Sequence, residues 1–182
     1  MNVEKATEAC LRFLHAGSIA PEATAEDDFG FLPLAMDIDG DVAVIMLMAT
    51  GADVPEDHLT VEEWTFHRRH GGDWIPLGSY GGLALPAALT RRPAAELGGR
   101  HLRRDCYGRS VRNGDRLLPW GAKYVSEARL TVAAETARLR VGKRTLDVPE
   151  HGQAVVVWGA RRGPVIEALN ADGAVLDKLD LS

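Results

Sequence analysis

Apolar residues recur at helical spacing in one stretch near the start of the chain. Val3, Ala6, Cys10, Phe13 and Leu14 fall on one face of residues 2–16, and Glu4, Lys5, Glu8 and Arg12 on the other. Asn2 is placed to cap this helix and Gly17 to end it. A single apolar stripe obliges the helix to pack on something apolar, most simply a sheet. After a polar loop over 18–29 the period falls to two. Residues 31–38 and 41–50 read as strands joined at Asp39-Gly40, a dipeptide suited to a two-residue hairpin. Val42 to Met48 is apolar at every position, which predicts a strand covered on both faces. A second hairpin, 58–67 with 74–80, turns at Gly71-Gly72, and Pro76 marks an edge strand or a bulge.

Residues 83–120 show little periodicity beyond one short helical turn between Pro93 and Gly98-Gly99. From residue 123 onward strands are expected at 128–133, 137–141, 144–148, 153–158, 165–170 and 174–179. Turn residues separate them about every ten positions, the pattern of a small sandwich. The expected fold class is α+β and mostly antiparallel β: an N-terminal helix packed on an antiparallel sheet, then a small C-terminal β-sandwich. The expected organisation is a helix-plus-sheet lobe over 1–90, an arginine-rich connector over 91–122 and the sandwich over 123–182.

Composition changes this picture little. Hydrophobic residues make up 46% and charged residues 26%, an ordinary globular balance. The charge is unevenly spread: net −11 over 1–90, +5 over 91–116 and +1 over 117–182. The basic stretch is read as lying against the acidic N-terminal half or solvating the surface, so nucleic acid is not an expected partner. No apolar run approaches the ~18 residues of a membrane span, and the N-terminus lacks a signal-like apolar core. Two cysteines, Cys10 and Cys106, suit a reducing compartment. The expected setting is cytoplasmic, with no membrane association.

The stretch Glu62-Glu63-Trp64-Thr65-Phe66-His67-Arg68-Arg69-His70-Gly71-Gly72-Asp73-Trp74, following a helix and a hairpin, resembles late strands of cystatin-like domains. The nuclear-transport-factor-2-like fold is the commonest version. That resemblance covers about residues 1–82, and the chain shows one helix where the family has three. The C-terminal stretch resembles small immunoglobulin-like β modules of actinobacterial proteins. It does so through Arg138-Leu139-Arg140-Val141, Leu146-Asp147-Val148-Pro149, the run to Trp158, and 164–173. Neither resemblance carries a catalytic motif.

The densest group of chemistry-bearing residues is His58, Glu62, Glu63, His67 and His70. On a strand Glu62 shares a face with Trp64 and Phe66, and Glu63 shares the other with His67, so these groups do not converge. Asp37-Ile38-Asp39-Gly40-Asp41 has the look of a calcium loop, but the twelfth position from Asp37 is Met48, so a hairpin turn is the better reading. No phosphate-binding glycine motif or nucleophile elbow is present. No catalytic residue, metal site or cofactor is therefore expected. The reading is a non-enzymatic binding or protein-interaction protein, with a protein partner or a second copy of itself. The alternative is a small-molecule or enzymatic pocket in the N-terminal lobe, for which Trp64, His67, Trp74 and Tyr80 are the candidate ligand-binding residues.

Overall fold

Helix α1 runs from Val3 to Ala16 and buries Ala6, Ala9, Cys10, Phe13 and Leu14. It closes at Gly17, whose φ of 72° lets its N–H reach the Phe13 carbonyl at 3.0 Å. The computed structural model describes residues 3–19, 30–49, 60–69, 71–81, 89–113 and 123–182. Asn2, His58 and His70 lie outside them.

Strands β1 (Phe31–Asp39), β2 (Val42–Ala49), β3 (Val61–Arg68) and β4 (Trp74–Gly81) form an antiparallel meander, sheet I, in chain order. The first turn falls one residue later than the Asp-Gly signal suggests. Asp39 pairs with Val42, so the turn residues are Gly40, at a φ of 63°, and Asp41. Pro76 lies on an edge strand, and the register shifts beside it.

Sheet II joins β5 (Leu102–Val111), β6 (Tyr124–Val132) and β9 (Gln153–Trp158) in the order β5-β6-β9. Sheet III joins β7 (Arg138–Val141), β8 (Arg144–Asp147), β10 (Val165–Leu169) and β11 (Val175–Asp180) in the order β11-β10-β7-β8. The hydrophobic pattern does not predict β5, which lies inside the arginine-rich segment. It also places the start of β6 four residues late, because Ser126 and Glu127 are polar although both are buried.

The described residues stack as four layers. Ala43, Ile45 and Leu47 of β2 join Trp64, Phe66 and Trp74 beneath α1. Val42, Val44, Met46 and Met48, on the opposite face of β2, meet Val125, Val155 and Val157 of sheet II. Alternate residues of sheet II, among them Ala128, Leu130 and Val156, then meet Leu139, Val141 and Ile166 of sheet III. The unbroken apolar run of β2 thus has its explanation: both of its faces are covered. Among the described residues no helix is long and apolar enough to cross a membrane.

A charged clasp ties β1 to the other two sheets. Asp37 is almost fully buried. It accepts two hydrogen bonds from Arg144, at 3.1 and 2.8 Å, and one from the Val157 N–H at 2.8 Å. Arg144 also donates to the Val157 carbonyl at 2.5 Å and pairs with Asp39 at 2.7 Å. The free edge of β9 is therefore met at Val157 by a carboxylate on its N–H and a guanidinium on its C=O, as a neighbouring strand would meet it.

Candidate functional site

The four residues singled out from the sequence part company across sheet I. Trp64 and Trp74 are buried in the apolar cluster under α1. His67 and Tyr80 belong to the other face: His67 pairs with Val42 of β2, and Tyr80 pairs with Glu63. The structure brings Tyr80 to a different set of groups, most of them missed in the sequence.

Those groups occupy the layer between sheets I and II. Glu63, 1% exposed, accepts a 2.6 Å hydrogen bond from the Tyr80 hydroxyl. It also faces Arg129 of β6 at 3.2 Å. Glu127, likewise 1% exposed, takes a hydrogen bond from Thr65 and feels the charge of Glu63. Its Oε2 has no hydrogen-bond partner among the described residues. The Tyr80 hydroxyl also hydrogen-bonds the side chain of Cys106 on β5, and Asp105 bonds Thr131. A methyl group at Gly108 would collide with the Glu127 carboxylate and crowd the Tyr80 ring, so the absence of a side chain there makes the space for both.

Burial dominates the electrostatics of this layer. It raises the carboxyl pKa of Glu63 against the opposing effects of Tyr80 and Arg129. It raises Glu127 to about 7, with the neighbouring Glu63 adding to the shift. Tyr80 is pushed up as well, first by burial and then by Cys106 and Glu63. Two carboxyls and one arginine thus lie in a layer almost closed to solvent, and burial shifts both carboxyls toward the protonated form. Both carboxyls sit between two packed sheets, Glu63 on β3 and Glu127 on β6. No signal in the sequence pointed to Glu127, which lies just before the strand expected over 128–133.

Open space lies at the other edge of the sheets. A groove of about 730 Å³ runs between β1 and the chain from β8 to His151, with Gly17 to Ile19 after α1 at one side. Leu32, Leu34, Met36, Leu146 and Val148 give it an apolar lining. His151 is fixed at its wall: Nε2 is 2.9 Å from the Leu34 carbonyl, and Nδ1 accepts from the Gln153 N–H at 3.1 Å. That pairing selects the neutral Nε2–H tautomer. Burial, helped by the charge of Arg91, holds the His151 pKa below its ordinary value against the pull of the Leu34 carbonyl. Each strand flanking the groove, β1 and β8, is the last of its sheet.

Among the described residues no group of three or more His, Cys, Asp or Glu side chains is placed to hold a metal ion. Most of the described arginines of the basic segment are held by the fold. Arg91 donates to the Thr136 carbonyl, Arg100 pairs with Asp177 at 2.9 Å, Arg103 with Asp105 at 2.9 Å and Arg112 with Asp41 at 2.7 Å. The chain matches no protein-family model, no curated protein and no solved structure.

Proposed function

We propose that this chain is a non-enzymatic protein-interaction module, and that the groove between β1 and β8 receives an extended apolar segment of a partner protein. The observation that carries the reading is the groove itself: a volume in the range of ligand-binding clefts, apolar lining, and a sheet edge along each side. Backbone groups of an edge strand and alternating side-chain pockets are what an extended segment engages. The buried acids lie in a different layer, where they serve the fold. In this reading α1 on sheet I is the cystatin-like half, sheets II and III are the immunoglobulin-like half, and the protein works in the cytoplasm.

Selection from a displayed random-peptide library against the whole chain tests the reading. Apolar, strand-forming peptides should be enriched. Leu32→Asp or Leu146→Asp, each placing a charge on the lining, should weaken their binding by about tenfold or more, because an unpaired charge would be desolvated there. Thermal melting confirms that each variant folds. Failure to select any apolar peptide, or selected peptides indifferent to both substitutions, would remove the groove as the binding site. Light scattering that shows self-association broken by Leu32→Asp would make the occupant a second copy and overturn the partner proposed here.

A further inference from the structure

One face of sheet II is only partly covered by sheet III. Toward the Leu102–Val132 end its side chains enter the shared core. Toward the other end Tyr107 and Val111 of β5 stand 46% exposed each, with exposed Arg109 between them on the same face. The Tyr107 ring rests on buried Trp158, with centroids 5.9 Å apart, and its hydroxyl lies 3.4 Å from Ser126 Oγ. Tyr107 is therefore anchored against Trp158 and at its hydroxyl while nearly half of the residue stays exposed. Beside it the Arg109 guanidinium lies 3.7 Å from the Tyr124 ring centroid.

Exposed cations lie along the same strand and on the segments that adjoin it. Trp158 pairs with Ser126 at this end of the sheet and runs into the loop that carries exposed Arg161 and Arg162. Arg104 is exposed on β5 itself, two register positions from Tyr107 toward the Leu102 end, and Lys123 is exposed at the entry to β6. None of these five, Arg109 included, has an ion-pair partner among the described residues, in contrast to Arg100, Arg103 and Arg112. The net negative charge of the chain does not decide what binds here, since exposed charges beyond about 10 Å are screened at ordinary salt.

We propose that this corner binds single-stranded nucleic acid, with a base stacked on Tyr107 and backbone phosphates held by Arg104, Arg109, Arg161 and Arg162. An anchored, half-exposed aromatic ring on a surface that also carries exposed arginines is suited to take unpaired bases whatever their sequence. A duplex keeps its base faces stacked and would gain nothing from Tyr107. An acidic peptide would find the charges but no use for the ring. The surface lies on a different layer from the groove and does not depend on it.

Fluorescence anisotropy of labelled single-stranded RNA and DNA of about 15 nucleotides, titrated with the whole chain at several salt concentrations, tests the proposal. Binding should weaken steeply with salt. Tyr107→Ala should weaken it by about tenfold, and Tyr107→Phe, which keeps the ring and loses the Ser126 contact, should leave it close to the parent. Arg161→Ala with Arg162→Ala should reduce both the affinity and the salt slope. No anisotropy change at about 50 mM salt, or equal loss for Tyr107→Ala and Tyr107→Phe, would overturn the proposal. So would equally effective competition by duplex DNA or by polyglutamate.

Discussion

Asp37→Ala is expected to destabilise the protein by about 3–5 kcal/mol, the range found when one partner of a buried ion pair is removed. The loss has two parts. The guanidinium of Arg144 keeps its place between sheets with one carboxylate fewer, and the Val157 N–H is left without the acceptor that now lies 2.8 Å away. Asp37→Asn should cost less, because the amide oxygen still serves Val157. The double variant Asp37→Leu with Arg144→Met should recover much of the loss, since burial already raises the Asp37 pKa despite Arg144 and Val157. Urea denaturation of the three variants decides the matter. A loss below about 1 kcal/mol for Asp37→Ala would show that the clasp is not an organising contact.

The second large effect is on pH dependence. Glu127 has a folded pKa of about 7, above its value in an unfolded chain. The folded state therefore binds its proton more tightly, and this contribution to stability is fully present below the unfolded pKa of about 4.3 and is lost as pH rises toward 7. Glu63, raised by burial, acts in the same sense. Glu127→Gln keeps the shape and an acceptor for Thr65 but carries no charge at any pH. It should stabilise the protein by about 2–3 kcal/mol at pH 8 and by close to nothing at pH 4. His151, held low by burial, works in the opposite sense on the acid side but is common to both proteins and cancels in their difference. Denaturation of the pair across this pH range measures it. A difference that stays flat with pH would mean that Glu127 does not take up a proton on folding.

The fold was legible where burial and sequence period agree. Val42 to Met48 can only be a strand with both faces covered, and the single stripe from Val3 to Leu14 only a helix lying on a surface. The strand from Gln153 to Trp158 has the bounds its apolar run implies. Legibility failed where a strand has a solvent face or a polar interior. On β5 the register shift between Arg104 and Cys106 breaks the alternation, and the outward positions are mostly charged, so the segment reads as a linker. The opposed faces of β3 were read correctly: Glu63 and His67 turn away from Trp64. What could not be read was the partner strand. Glu63 meets Arg129 and Glu127 only because β6 packs across it, and no local pattern reports the distance between residues 63 and 127 in space. The groove was hidden for the same reason, being made by edges of two sheets separated by a hundred residues.

The clasp of Asp37 with Arg144 also has a bearing on how fast the chain comes apart. Its partners are 107 residues apart, so it closes only after the intervening strands have found one another. A contact made after the barrier slows unfolding without speeding folding. In stopped-flow measurements Asp37→Ala should therefore unfold faster and refold at nearly the parent rate, whereas slower refolding would place this carboxylate in the nucleus.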